Sequence, residues 1–206
     1  MYLGALHGRG HRGLVCGADL SPGMLASARP LAGSDPLLVA DIQAVPFPDD
    51  AFDAVMAMHM LYHVPDRALA IAEMRRVLRP GGVALAVTNS QRHFAELDDL
   101  LVECAAVATG IDRLPARAHI SFTLESGEPE LAEQFHSIDV RVLTSELLVA
   151  VVEPVLDYAR SMSAFVADDA GQLEGVLREL ERRVSAVIAV DGALRITSES
   201  GCFVCR

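Results

Sequence analysis

Three short apolar runs of the chain are each followed by residues that can bind or react with a ligand. These residues are Asp19, Asp41 and the Met58-His59 pair. A carboxylate accepts hydrogen bonds from hydroxyl and amino groups, and an imidazole can take up a proton near neutral pH. In an open parallel sheet, ligands bind beyond the carboxyl ends of the strands. If the three runs are successive strands, these side chains converge on one ligand-binding edge.

The elements that must position these residues follow an alternating pattern. The predicted strands are Leu14–Ala18, Leu37–Ala40, Phe52–Met58 and Val83–Thr88. Ser21 and Pro22 mark the N-terminus of one connecting helix, and Asp66–Arg79 has the apolar stripe of another. Continuously apolar strands separated by helices indicate an α/β fold with a parallel sheet covered on both faces.

After Asn89 the pattern becomes mainly helical. We predict helices over Leu97–Ala108, Pro154–Phe165 and Leu173–Ala189, another helix ending with Leu131–Phe135, and a strand over Ile138–Leu143. The alternation of Ala193–Cys205 predicts an antiparallel hairpin that turns near Glu199-Ser200-Gly201. No repeat or linker interrupts the 206 residues, so we predict a single domain, 1–206.

Composition excludes several classes of function. The net charge of −11 disfavours nucleic acid as a partner, because phosphate binding needs clustered basic residues. No apolar run is long enough to span a membrane, and Arg9 and Arg12 interrupt any signal-peptide core, so we expect a cytoplasmic protein without membrane contact. Cys202 and Cys205 form a C-x-x-C without a second pair, and their strand alternation puts the thiols on opposite faces. We therefore predict no metal site.

Three segments resemble motifs of the class I S-adenosylmethionine-dependent methyltransferases, a Rossmann-like family: Gly17–Leu25, Ala40–Asp53 and Arg76–Gly82. The resemblance extends from Leu3 to Asn89 and is to type 11-like members. Phe122–Gly127 and the terminal hairpin resemble, more loosely, a bacterial subgroup of small-molecule methyltransferases. The resemblance implies a cofactor-side half (1–90), a lid and acceptor region (91–191) and the terminal hairpin (192–206).

The resemblance also implies roles for individual residues around S-adenosylmethionine. Asp19 accepts hydrogen bonds from the ribose hydroxyls, and Leu20 and Met24 lie near the ribose and adenine. Asp41 accepts from the adenine amino group, and the Ile42 amide meets a ring nitrogen. The alternatives are a turn or cap role for each aspartate and core packing for Met24.

Met58 and His59 are implied to line the methionine side of the cofactor. Methyl transfer from a sulfonium needs alignment and exclusion of water, and a general base helps only if the acceptor arrives protonated. His59 and His63 are the candidate catalytic bases because both follow the third strand. Either can equally be a structural histidine.

The sequence departs from the family at its start, where a strand and a Gly-x-Gly-x-Gly loop are expected. Leu3–Arg9 resembles the helix that follows that loop, and the G-x-G-x-x-G of Gly8–Gly13 precedes a strand instead of following one, which predicts a plain connecting loop. The absent strand belongs between those ending at Asp19 and Met58. These two strands pair directly, another segment fills the gap, or the protein begins upstream of Met1; we favour the last.

The leading hypothesis is methyl transfer to an unidentified small-molecule acceptor, with the acceptor pocket in Gln91–Asp191. The alternative is a non-catalytic remnant or partner-binding subunit, because the glycine-rich cofactor loop is absent. A nicotinamide-dependent dehydrogenase is disfavoured because the glycine fingerprint is misplaced and the chain has no lysine for a Tyr-x-x-x-Lys pair. The oligomeric state is not determined by the sequence.

Overall fold

The computed structural model describes residues 2–206, with the side chains of Leu3 and His7 excepted. The helices in this range are α1 (Tyr2–Gly8), α2 (Pro22–Ala32), α3 (Arg67–Val77), α4 (Ala95–Thr109), α5 (Gly127–Ala132), α6 (Glu153–Ser161), α7 (Ser163–Val166) and α8 (Ala170–Asp191). The strands are β1 (Gly17–Asp19), β2 (Leu37–Val39), β3 (Phe52–Met58), β4 (Leu78–Asn89), β5 (Ile138–Val149) and β6 (Leu194–Cys205). Three 3₁₀ turns lie at Ile42–Ala44, Leu61–His63 and Ala116–His119.

The strands form two sheets. β1 and β2 pair in parallel, with Asp19 opposite Val39. The second sheet has the order β3-β4-β6-β5, and β6 runs antiparallel to both of its neighbours. Within residues 2–206, β1 pairs only with β2 and β3 only with β4. The strands ending at Asp19 and Met58 therefore do not pair directly, and no other described segment pairs between them.

The described chain divides into two compact units, and the first consists of residues 2–53 and Pro65–Gly82. Ser21 starts α2 as predicted, because its hydroxyl accepts from the Met24 amide at 3.3 Å. Asp66 caps α3 in the same way, accepting from the Leu69 amide at 3.0 Å. The apolar face of α3 is fully buried through Ala70, Ile71, Met74 and Val77. This face supplies most of the unit's core.

A charged clamp on α3 holds the segment that follows β2. Glu73 accepts from the Val45 amide at 3.1 Å and from two guanidinium nitrogens of Arg76 at 2.6 and 2.8 Å. Arg76 donates in turn to the Phe47 carbonyl and to Asp49, both at 2.8 Å. Bidentate pairs of this kind fix geometry as well as adding attraction. The clamp therefore fixes the loop that begins at Asp41.

The second unit consists of Ala54–Val64 and Val83–Arg206. Its core is a cluster of buried side chains from α4, α6, α8 and β6: Leu97, Leu101, Cys104, Ala105, Val155, Leu156, Ala159, Val176, Leu180, Val184 and Ile196, with Val166 of α7. The apolar stripe of α8 recurs at Val176, Leu180 and Val184, a spacing of four residues that keeps one helix face on the core.

The predicted C-terminal hairpin is wrong, because β6 is one continuous strand between β4 and β5. Gly201 lies inside that strand and is paired with Thr88 and Val142. A Cβ at this position would lie 2.5 Å from the Arg141 carbonyl oxygen, so the glycine allows close approach of two strands. Gly201, which suggested a turn in the sequence, is therefore needed for the close packing of β6 against β5.

Several predicted boundaries also need correction. β1 is three residues long, and Leu14, placed in this strand by the sequence, is 86% exposed. β4 begins at Leu78, because α3 ends at Val77 before the Pro80-Gly81-Gly82 sequence. β5 continues to Val149, where the pairing with β6 ends. The helix predicted over Pro154–Phe165 is divided into α6 and α7.

The expectations for β3, for the N-terminal helix and for the loop before β1 are confirmed. β3 has the predicted bounds, α1 covers most of Leu3–Arg9, and Gly8–Gly13 runs from the end of α1 through the loop before β1. All four cysteines are free thiols, and no group of three potential ligands that could hold a metal ion occurs among residues 2–206. None of the helices in this range has the length and apolar character needed to cross a bilayer.

Candidate functional site

In the first unit, Asp19 and Asp41 lie at the same edge of the parallel pair. Asp19 is the last residue of β1 and is opposite Val39, two residues before Asp41. The Ala40 amide donates to the Asp19 carbonyl at 3.2 Å, which keeps the two chain segments side by side past the strand ends. This edge is the position at which parallel α/β sheets bind ligands.

Asp19 is a half-buried carboxylate beside exposed apolar side chains. One of its oxygens accepts from the Ser21 amide at 2.8 Å, and its second oxygen has no partner among the described residues. Leu20 is 68% exposed and Met24 is 60% exposed, so Met24 does not pack into the helix core. A carboxylate oxygen next to exposed apolar surface suits a ligand that has both hydroxyl groups and an apolar ring.

Asp41 caps the 3₁₀ turn that Ile42 begins. Its carboxylate accepts from the Gln43 amide at 2.9 Å and from the Gln43 side-chain nitrogen at 3.1 and 3.0 Å. The backbone and side-chain hydrogen bonds from Gln43 lower the pKa of Asp41, so the group is charged at neutral pH. Ile42 is at the first position of the turn, where a backbone N–H has no acceptor within the turn. Asp41 therefore does cap the turn, as the alternative interpretation proposed. Its carboxylate oxygens still have lone pairs that can accept a hydrogen bond from a ligand.

In the second unit, Met58 and His59 lie at the end of β3. The His59 amide donates to the Val87 carbonyl of β4 at 2.9 Å. His59 has a φ of 52°, which is rare and strained for a residue other than glycine. Both side chains are half-buried, and burial lowers the pKa of the His59 imidazole, so the neutral ring predominates at neutral pH.

His63 lies one turn further along the chain and is exposed. It ends the 3₁₀ turn Leu61–His63, and its ring contacts that of Tyr62 with centroids 4.5 Å apart. Leu61 anchors this turn in the core with 1% exposure. Of the two candidate bases, His59 has the more enclosed environment.

His93 is a further candidate residue that the sequence analysis did not identify. The structure places it close enough to His59 for the two imidazoles to interact electrostatically. His93 follows β4 as His59 follows β3, and its amide donates to the Ser90 carbonyl at 3.1 Å. Its Nδ1 atom is buried and accepts no hydrogen bond in the described structure. Burial lowers the pKa of His93, and positive charge on His59 lowers it further. The sequence offered one indication of this residue, because His93 follows the fourth predicted strand.

A stack of rings holds His93 in place. The His93 and Phe94 rings are parallel with centroids 4.1 Å apart, and Phe94 meets Tyr158 edge-on at 5.8 Å. Phe94 has a φ of 57°, so two of the three non-glycine residues with positive φ in residues 2–206 are next to or part of this histidine pair. Backbone strain of this kind clusters at functional sites.

Behind the rings lies the buried carboxylate of Asp98. It accepts from the Arg117 amide at 3.1 Å and from the Tyr158 hydroxyl at 3.3 Å, with the Arg117 guanidinium at 4.0 Å. Burial raises the pKa of Asp98, and the same burial together with the Asp98 carboxylate raises the pKa of Tyr158. Asp98 therefore supports Tyr158, which supports Phe94 and His93.

Part of the chain is similar in sequence to methyltransferases. Residues 2–86 match the family model described as a methyltransferase domain. The chain is 42% identical over 82 residues to a ubiquinone/menaquinone biosynthesis C-methyltransferase of Geobacter sulfurreducens, which covers 37% of this chain and 32% of that protein. It is 41% identical over 91 residues to a malonyl-[acyl-carrier protein] O-methyltransferase of Serratia marcescens, covering 44% and 35%. These matches therefore span about a third of each relative's length.

Comparisons of structure show the fold. A protein described as a type II methyltransferase from Anaeromyxobacter dehalogenans matches with a TM-score of 0.66 at 22% identity, over 98% of this chain and 84% of that one. The [4+2]-cyclase SpnF matches with a TM-score of 0.52 at 18% identity, over 98% and 69%. The protein therefore has the Rossmann-like α/β fold found in methyltransferases of known structure. The sequence match to the methyltransferase domain model is limited to residues 2–86.

Proposed function

We propose that this protein transfers the methyl group of S-adenosylmethionine to a small-molecule acceptor. The observation that carries the proposal is the pair of aspartates, Asp19 and Asp41, at the carboxyl edge of two parallel strands within the segment that matches the methyltransferase family. When bound, the cofactor supplies an activated methyl group on a sulfonium. The protein's task is then to bind, align and exclude water.

The residues of the first unit fit the nucleoside of the cofactor. The second oxygen of Asp19 can accept from a ribose hydroxyl, and Leu20 and Met24 offer apolar surface beside it. The charged Asp41 can accept from an exocyclic amino group while the Ile42 amide donates to a ring nitrogen. Hydrogen bonds to a charged group are stronger than neutral ones, so each aspartate should contribute substantially to affinity.

His59 is the proposed proton acceptor when the acceptor's nucleophile carries a proton. Its imidazole is neutral at neutral pH because burial disfavours the charged ring, and a neutral imidazole has a lone pair for a proton. The bound cofactor would supply the methyl group, and His59 would take up the proton that the acceptor's nucleophile loses. His63 is the second candidate base and is more exposed to solvent.

The acceptor is proposed to be a small molecule that binds in the lid and acceptor region after β4. One relative supports this class, a 2-methyl-6-phytyl-1,4-hydroquinone methyltransferase of Synechocystis that is 27% identical over 146 residues, 69% of this chain and 45% of that protein. A hydroquinone hydroxyl is a proton-bearing group of the kind that His59 can deprotonate. The net charge of −11 argues against a nucleic-acid acceptor.

Isothermal titration with S-adenosylmethionine tests the proposal. The wild-type chain should bind, Asp19→Asn and Asp41→Asn should each weaken binding about 10-fold or more, and Asp191→Asn, a matched change at an exposed position on α8, should bind as wild type. No binding by the wild-type chain, or equal affinity of all four proteins, would favour the alternative of a non-catalytic, partner-binding protein.

A further inference from the structure

β5 is the outer strand of the four-stranded sheet, and it is exposed from Asp139 to Leu148. Among residues 2–206, no strand pairs with its outer edge. Large apolar side chains project from both of its faces: Val140, Val142, Leu143, Leu147 and Leu148. Proteins usually protect a long edge strand with proline, lysine or a bulge, because its unpaired backbone groups pair readily with another strand. β5 has no proline and no lysine over its twelve positions, and its charged residues are Asp139, Arg141 and Glu146.

The sequence of β5 is complementary to itself in one antiparallel register. A twofold axis perpendicular to the sheet keeps each face on the same side, so residues of the same parity oppose each other. With the axis at Ser145, Leu143 opposes Leu147 of the second copy, and Val142 opposes Leu148. Each pair occurs twice, so four of the five exposed apolar residues of β5 gain a large apolar partner across the strands.

The two neighbouring registers are less favourable. With the axis at Glu146, two carboxylates oppose each other directly, and like charges in this position are destabilising. With the axis at Thr144, Val142 opposes Glu146 and Leu147 opposes Arg141, which places apolar side chains against charged ones. With the axis at Ser145, the one apolar residue of β5 that opposes a charged one is Val149, which meets Arg141. The pattern therefore favours the register centred on Ser145.

The charges on this edge are already neutralised within one copy. Glu146 forms an ion pair with Arg195 at 2.7 Å, and Arg141 forms one with Asp139 at 3.0 Å. Two copies of β5 can therefore approach without bringing together unpaired charges of the same sign. A partner that required complementary charge would find none uncompensated on this strand.

We propose that the protein forms a homodimer in which two β5 strands pair antiparallel around a twofold axis at Ser145, joining two four-stranded sheets. The interaction adds a strand to an exposed sheet edge, and the same patch serves both copies. The inference is independent of methyl transfer, since it uses only β5 and β6 of the second unit.

Sedimentation velocity over a range of protein concentrations tests the dimer. The wild-type chain should show a monomer–dimer equilibrium, and Val142→Lys should raise the dimer dissociation constant at least 10-fold, because it places lysine opposite Leu148 twice. Val190→Lys is the matched control, since Val190 is 84% exposed on α8 and Val142 is 56% exposed on β5. A wild-type chain that remains monomeric, or a dimer that Val142→Lys does not weaken, overturns the proposal.

Oxidative crosslinking tests the register. Ser145→Cys should give a disulfide-linked dimer, because residue 145 opposes itself across the axis. Asp139→Cys should not, because residue 139 lies near the end of the paired segment, far from its counterpart. The wild-type chain, with its four thiols free, measures the background. Equal crosslinking of both variants, or none from Ser145→Cys, contradicts the register.

Discussion

Replacing Asp98 tests the support that lies behind the histidine pair. The carboxylate is 4% exposed and is the acceptor for two donors, the Arg117 amide and the Tyr158 hydroxyl. A buried donor that loses its acceptor costs about 1–3 kcal/mol, so the loss of acceptor for two donors in Asp98→Ala should lower the free energy of unfolding by about 2–6 kcal/mol. The slope of the denaturation curve should not change if the unfolded state is unaffected.

The matched variants separate hydrogen bonding from charge. Asp98→Asn keeps an acceptor oxygen and avoids the charge that burial disfavours, as the raised pKa of Asp98 indicates, so it should cost about 1 kcal/mol or less. The exposed neighbour Asp99 pairs with Arg117 at the surface, and Asp99→Ala should cost within about 0.5 kcal/mol. Urea unfolding at pH 7 measures all three. If Asp98→Ala lowers the free energy of unfolding no more than Asp99→Ala does, the structural role inferred for Asp98 is wrong.

Three further predictions follow from the sheet, the clamp and the histidines. Gly201→Ala should destabilise the second unit by about 1–3 kcal/mol, measured by thermal unfolding, because its Cβ would overlap the Arg141 carbonyl; a neutral result contradicts the strand packing. The hydrogen bond from Arg76 lowers the pKa of Glu73 in the folded protein below its unfolded value of about 4.5. The charged form of Glu73 therefore stabilises the fold above about pH 4.5, and this stabilisation is lost as the pH falls through the folded pKa. The stability gap between wild type and Glu73→Gln should therefore close in acid, and a gap that persists there counts against the ion pair. His59→Asn should raise the pKa of His93 in an NMR titration, whereas an equal rise with His63→Asn would show that the effect is not specific.

Local signals in the sequence were sufficient to predict the helices and strands of the segment that matches the methyltransferase domain model. The caps of α2 and α3 at Ser21 and Asp66 depend on hydroxyl and carboxylate groups three residues before the amides that they accept from. β3 has the bounds predicted from its apolar run. The positions of Asp19 and Asp41 at one edge follow from strand ends in the same way.

The features that the sequence did not predict depend on pairing between strands that are distant in the chain. β5 extends past Leu143 through Thr144-Ser145-Glu146, which have no strand pattern of their own but pair with β6. Gly201 is typical of a turn in sequence, and only the adjacent strand shows why it is needed. His93 is 34 positions from His59 in the chain, and the β3–β4 pairing brings the two within electrostatic range.

The most direct test of the central claim is an NMR titration of the ¹⁵N-labelled chain with S-adenosylhomocysteine. If the edge formed by the ends of β1 and β2 binds the nucleoside, the backbone amides of Leu20, Met24 and Ile42 should shift in a saturable manner, and those of Asp19→Asn should shift only at higher ligand concentration. Amides on α8, such as Val190, should not move. Saturable shifts that avoid the first unit, or no shifts at all, would contradict the account.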